Sequence, residues 1–434
     1  MLVLELLIVF GAIFLGARLG SIGIGFAGGF GVLLLALVGI KPGAMPIDVI
    51  LIIASVIAAI ATMQVAGGMD FLVAETEKLL RKNPKYITYF APIVTYFMTI
   101  MAGTGHTAFS TLPVIAEVAK EQGIRPSRPL SIAVVSSQVA ITASPISAAV
   151  VFFSGAMEPL GVDYLQILMV CIPTTLLAVI LASFVSNFLG RELKDDPYYL
   201  ARLEAGLVKR RDSKKVEILP HAVRSVWIFL AAIVVVMVYA TLISDKVGII
   251  AKQNIILSRD NAIIVFMLTA ATSIALFCKV ETGKVLSAST FKSGMSACVC
   301  VLGVAWLGTT FVTAHEAEIK ALAGGILQTY PWLLSMTLFF AAMLLYSQAS
   351  TAKALMPIAI ALGASNVTLV ASFAAVSALF ILPTYPTLLA AVEMDDTGST
   401  RIGKYVFDHP FIIPGTITIF FAVLFGFIFG GIML

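Results

Sequence analysis

Two short polar stretches interrupt sequence that is otherwise almost continuously apolar. The first reads Gly103-Thr104-Gly105-His106-Thr107-Ala108-Phe109-Ser110-Thr111-Leu112-Pro113, and the second Ser347-Gln348-Ala349-Ser350-Thr351-Ala352-Lys353-Ala354-Leu355-Met356-Pro357. Aligned on their prolines, they also match Thr107 with Thr351 and Ala108 with Ala352. Two proline-hydroxyl clusters lie further along, Thr142-Ala143-Ser144-Pro145-Ile146-Ser147 and Leu382-Pro383-Thr384-Tyr385-Pro386-Thr387. Each breaks a helix, with Ser144 expected as N-cap and Pro145 as the first residue of a second half. Four half-helix beginnings follow, near Thr104–His106, Ser144–Pro145, Ser347–Thr351 and Thr384–Pro386. Unpaired backbone N–H groups and aligned peptide dipoles at such ends favour an anion. The hydroxyls of Thr104, Thr107, Ser144, Ser147, Ser350, Thr351, Thr384 and Thr387 can cap these ends or donate to carboxylate oxygens. Two opposed hairpins suit a two-headed anion.

Several of these residues carry more than one reading. Gly103, Gly105 and the other small residues either leave room for a ligand or let helices approach closely. His106 is a proton carrier, a substrate donor or an interior histidine. Lys353 is the one lysine placed within the membrane, where a central lysine costs roughly 2.5–3.5 kcal/mol. It faces a cavity, partner or substrate, or it snorkels to the interface. Asp395-Asp396 with Arg401 and Lys404 reads as a solvated loop or gate.

Composition sets the environment. Of 434 residues, 59% are hydrophobic and 12% charged, and the mean hydropathy is +1.02. An ordinary soluble domain carries about 25% charged residues, so the chain is an all-α polytopic membrane protein. Nucleic acid is not implied by a net charge of +4. Cys171, Cys278, Cys298 and Cys300 lie in or beside apolar segments, without the second ligand pair that a structural zinc site needs. No metal or cofactor is expected. The four histidines are scattered and offer no convergent nucleophile–base pair, which argues against an enzyme. Met1-Leu2-Val3-Leu4-Glu5 has no cationic lead, so a retained first helix is expected.

In chain order, crossings are expected at 2–17, 21–40 and 46–66, then an amphipathic arm at 70–83. A re-entrant hairpin occupies 86–121, a broken helix 130–157 and a final crossing 162–189. A hydrophilic linker at 190–224, solvated or touching anionic lipid, divides this first repeat (1–190) from a second (225–434). The second has crossings at 225–243, 260–278 and 294–313, a polar arm at 314–329, a hairpin at 332–362, a broken helix at 366–394 and a last crossing at 410–432. With both hairpins re-entrant, most basic side chains fall on one face, the linker's among them. Only Lys41, Lys246, Lys252, Arg259 and Lys320 fall on the other. The basic face is cytoplasmic by the positive-inside rule, which puts both termini outside and the two repeats in opposite orientation. Inverted repeats of this kind characterise secondary transporters. A channel would instead show unsaturable flux without trans-stimulation.

Several motifs carry a resemblance. Gly-Ala-Arg-Leu-Gly near the start, Asn83-Pro84-Lys85-Tyr86, Ala102-Gly103-Thr104-Gly105-His106, Ile141–Ser147, Phe291-Lys292-Ser293-Gly294-Met295, Ile381–Thr387 and Met394-Asp395-Asp396-Thr397-Gly398 resemble the Dcu family of anaerobic C4-dicarboxylate transporters over essentially the whole chain. The short linker and Thr-Ala-Lys-Ala are closer to its DcuA-like branch. The resemblance implies a bacterial inner-membrane carrier that exchanges succinate, fumarate, malate and L-aspartate. It further implies a dimeric elevator of the ion-transporter superfamily, working within membrane lipid. Substrate-binding residues would be Gly103, Thr104, Gly105, His106, Thr107, Ser144, Pro145, Ser147, Ser350, Thr351, Lys353, Thr384, Tyr385, Pro386 and Thr387. The hairpin tips depart from the superfamily's Ser-Asn-Thr-like signature, which argues against sodium coupling and suggests that Lys353 stands where relatives use a cation. A sodium- or proton-coupled symporter is the alternative.

Overall fold

The computed structural model describes residues 2–19, 22–45, 47–208, 218–243, 250, 254–315, 317–318, 329–345, 347–383, 385–404 and 407–434. Helices α1 (Leu2–Leu19), α2 (Gly23–Leu37) and α3 (Ile47–Val65) come first. The Gly67 break, with φ of 84°, then turns the chain by 72° into α4 (Gly68–Lys82). α4 carries Glu77 and Arg81 as an i,i+4 pair, and Arg81 also reaches Glu121, so the arm is tied at its end. Next come α5 (Ile87–Ala102), α6 (Ala108–Glu121), α7 (Ser127–Val139), α8 (Ala148–Met157), α9 (Tyr164–Ser186) and α10 (Pro197–Glu204). The remainder contains α11 (Ala222–Leu242), α12 (Arg259–Phe277), α13 (Thr282–Val285), α14 (Ser289–Ala314), α15 (Leu333–Leu345), α16 (Gln348–Ala361), α17 (Asn366–Ser372), α18 (Pro386–Met394) and α19 (Ile412–Met433).

Among the described residues, five helical stretches are long and apolar enough to cross a membrane, or six if the bent α3–α4 pair counts as one span. Both hairpins enter through a proline turn: Pro84–Tyr86 before α5, and Tyr330-Pro331-Trp332 before α15, where Leu333 N–H donates to Tyr330 O. Most of the arm expected at 314–329 falls outside the described residues, as do 209–217 of the linker.

Apolar burial divides the molecule into cores that do not follow the chain's halves. One joins α5–α9 to α15–α19, through residues such as Tyr96, Phe153, Phe373, Phe380 and Phe411. A second is built on α3, α11 and α12, and a third on α1, α2 and α14. The helix pairs are matched. α2 packs on α14 as α3 packs on α12, α6 packs on α18 as α8 packs on α16, and α9 packs on α19. The α2–α14 crossing is close: a Cβ on Gly303 would overlap the Gly25 carbonyl, and one on Gly25 the Val299 carbonyl. Small residues let helix backbones meet in this way.

Two polar regions are more ordered than the sequence suggests. Asp395 is not a solvated loop residue: it is buried and accepts from Thr397 N–H and Oγ1, Ser399 Oγ, and Thr400 N–H and Oγ1. Burying a carboxylate requires that many donors, and this loop supplies them locally. Asp396 pairs with Lys120 at 3.1 Å, and its carbonyl accepts from Arg202. The first part of the linker is mostly exposed, as its composition predicts, but it is anchored at Leu193 and Asp196, which are buried. Arg128 Nε and Nη2 donate to the carbonyls of Leu189 and Gly190 beyond the end of α9, and Nη2 also reaches Glu192. Arg125 pairs with Asp196 at 2.5 Å. The basic turn Arg125–Pro129 therefore holds the linker's start.

Candidate substrate site at the helix breaks

Gly103 ends α5 in the left-handed region, φ 66°, with its N–H donating to Thr99 O. A side chain there would press on Ile146 at 3.0 Å, and one on Gly105 would press on Ser137 O at 3.0 Å. Both glycines thus seat the first hairpin tip against the first broken helix. Thr107 is buried, donates to Thr104 O and shares a 3.2 Å hydrogen bond with Thr99 Oγ1. His106 sits in the 3-10 turn Gly105–Thr107; its side chain lies outside the described residues.

The first break does not use Ser144 as its cap. A 3-10 turn, Ala140–Ala143, prolongs α7, and Ser144 then turns extended and donates to Ile100 O at 2.7 Å. It ties the break to the last turn of α5. The N-cap of α8 is Ser147, which accepts from Val150 N–H and donates to Ile141 O. Pro145 stands in the turn between them, not at the first helical position, and its carbonyl accepts from the Tyr164 hydroxyl. The extra 3-10 turn moves the start of the second half by three residues.

The second tip is more helical than its composition predicts. α16 starts at Gln348, capped by Ser347, whose Oγ accepts from Ser350 N–H at 3.1 Å. Ser347, immediately before Gln348, is extended. Ser350 and Thr351 are in the first turn, both buried, and Thr351 Oγ1 donates to Ser347 O. Lys353 follows, half-buried, with Nζ 5.7 Å from the centroid of the Phe152 ring on α8. In the second broken helix, α17 continues as a 3-10 turn, Phe373–Ser377. Tyr385 then stands as N-cap of α18, Pro386 is its first residue and is exposed, and Thr387 is fully buried. Thr384 lies outside the described residues.

These four interruptions converge. The Gln348 side chain donates to Gln138 O at 3.1 Å, joining the second tip to α7 just before the first break. The 3-10 turns Ala140–Ala143 and Phe373–Ser377 touch, and α18 packs on α6 and α7. In this region the hydroxyls of Ser350, Ser377 and Thr387, and both amide atoms of Gln138, are buried with no hydrogen-bond partner among the described residues. Further such atoms lie on Glu5, Thr88, Glu117, His315 and His409; those at the helix breaks make this region a candidate place for a polar ligand, since buried polar groups in proteins are mostly satisfied. Ser350 and Thr387 are among the residues singled out from sequence. Gln138 and Ser377 are not. The available signal was Gln138 itself, a lone long amide in a helix that after Arg128 otherwise holds only small and apolar residues. An apolar crevice lined by Met63, Met69, Met98, Met101, Thr107 and Phe229 separates the first tip from α3 and α11.

The arrangement can receive an anion through donors from two hairpins and two breaks. The family described as anaerobic C4-dicarboxylate membrane transporters (DcuA/DcuB) matches residues 1–434. The chain belongs to the DcuA/DcuB family. It is similar to the C4-dicarboxylate transporter DcuA of Wolinella succinogenes, 65% identical over 100% of both chains, and to that of Escherichia coli K12, 62% identical with the same coverage. The DcuB protein of Escherichia coli O6:H1 is 36% identical over 98% of each. Among solved structures, the YdaH transporter of Alcanivorax borkumensis superposes at TM-score 0.55 with 14% identity, over 86% of this chain and 84% of that one. MtrF of Neisseria gonorrhoeae superposes at 0.51 with 13% identity, over 86% and 80%. These two show a shared fold. As a DcuA/DcuB member, the chain is a multi-pass membrane transporter for C4-dicarboxylates and not an enzyme.

Proposed function

We propose that this transporter exchanges C4-dicarboxylates, with succinate as the counter-substrate for fumarate, malate or L-aspartate, across a bacterial inner membrane by alternating access. The observation that carries this reading is the group of buried, unpartnered polar atoms on Gln138, Ser350, Ser377 and Thr387 where hairpins and breaks converge. A dicarboxylate sheds its hydration shell on entering, so the half-helix ends, these groups and Lys353 replace water's hydrogen bonds on both carboxylates. Fixed positive charge on Lys353 disfavours movement of the empty site, which makes exchange obligatory.

The two halves of the chain form inverted repeats in this reading, and the matched pairs α2–α14 with α3–α12 and α6–α18 with α8–α16 support it. The core joining α5–α9 to α15–α19 is the moving unit, and α1–α3, α11, α12 and α14 are the scaffold. The termini face the periplasm, the linker faces the cytoplasm, and the scaffold dimerises. In proteoliposomes loaded with succinate, external labelled fumarate or aspartate enters, and empty vesicles take up little, with or without sodium. Sodium-dependent uptake into empty vesicles would establish a symporter instead.

A further inference from the structure

We infer that the Gln138 side chain reads the substituent on C2 of the transported dicarboxylate. The inference rests on the transport reading above and deepens it. Gln138 is 1% exposed, yet neither its Oε1 nor its Nε2 meets a partner among the described residues. It lies one residue before the end of α7, next to the first break, and its carbonyl is where the second hairpin's Gln348 attaches. A buried amide without partners destabilises a fold, whereas an apolar side chain of similar length would not. Such a group stays where a ligand completes it.

The chemistry of the amide identifies what completes it. A carboxylate only accepts, so it can use the amide N–H₂ but leaves Oε1 unpaired. The hydroxyl of a 2-hydroxy diacid or the ammonium of a 2-amino diacid supplies the missing donor to Oε1. Diacids without a C2 substituent cannot. The remaining donors at the site, the helix-end N–H groups and the Ser350 and Thr387 hydroxyls, serve carboxylates and do not distinguish these classes. A neutral residue that both donates and accepts therefore separates substituted from unsubstituted C4 diacids.

The test is competition for succinate exchange by succinate, malate and aspartate, in wild type and in Gln138→Met, alongside thermal unfolding of both purified proteins without substrate. The expected result is a fall of about tenfold or more in apparent affinity for malate and aspartate relative to succinate. Substrate-free Gln138→Met should melt at or above the wild-type temperature. An unchanged affinity ratio, or equal loss for all three diacids, would overturn the assignment. Failure of Gln138→Met to fold, or a lowered melting temperature, would show a structural amide and overturn it equally. A wild-type protein without diacid exchange would instead defeat the transport reading itself.

Discussion

Gly103 and Gly105 illustrate how one residue type serves two purposes. Their missing side chains let the first tip sit against Ile146 and Ser137 O, and this close seat is also what brings Thr107 to Thr99. Gly103→Ala places a Cβ in a left-handed residue and against Ile146. The expected cost is about 1–2 kcal/mol, read as a lower melting temperature in detergent. Ser147→Ala removes the cap of α8 and should cost about 1 kcal/mol, whereas Ser147→Gly should cost only a few tenths. The same two substitutions at Ser144 should not show that contrast, because Ser144 donates to Ile100 O instead of capping. Lys353 carries a role in the proposed exchange. Lys353→Ala should leave the fold intact and reduce dicarboxylate exchange by at least about tenfold, and normal exchange in this variant would remove its proposed role.

Among the elements, the linker is anchored at points its composition does not reveal. Its composition reads as solvated, but Arg125 and Arg128 hold its first residues, and the short helix α10 lies against the Asp395 loop, with Arg401 stacked 4.4 Å above the Tyr198 ring. Burial would raise the Asp196 carboxyl. Hydrogen bonds from Arg125 and Tyr198 N–H, with the charges of Arg125 and Arg401, outweigh it and hold the group below its ordinary 3.8. Because the folded value is depressed, the stabilisation is fully present above the ordinary value and is lost as pH falls through the folded one. Amide-exchange protection of residues 190–207 should therefore be flat from about pH 8 to 5 and fall only below about pH 4. Asp196→Asn should show reduced protection above about pH 5, the two proteins converging at lower pH. Equal protection in both proteins above that pH would mean that the pair does not hold the linker.

At the scale of the whole molecule, the proposed movement of one apolar core against the others predicts which contacts break during transport. α14 and α16 meet at Gly308 and Ala354, where a Cβ on Gly308 would stand 3.2 Å from Ala354 Cβ. In a background without the native cysteines, oxidised Gly308→Cys/Ala354→Cys should stop exchange, and a reductant should restore it. Ser335 and Ser372, whose hydroxyls are 2.8 Å apart within the proposed moving unit, provide the contrast. A disulfide between Ser335→Cys and Ser372→Cys should permit exchange, and arrest by both pairs would argue against rigid movement of that unit. The sequence by itself determined the membrane environment, the helical segments and the four interruptions. Those depend on local run length, and on glycine, proline and hydroxyl residues acting on their own backbone. The family was legible in the same motifs. Only the tertiary structure decided that Ser147 and not Ser144 caps α8, since a 3-10 turn packed against the first hairpin shifts the register there. It also decided that Asp395 is buried, and that Gln138 and Ser377 join Ser350 and Thr387 as buried groups without partners. Whether a polar atom is satisfied depends on which distant helices surround it, and spacing along one chain carries no record of that.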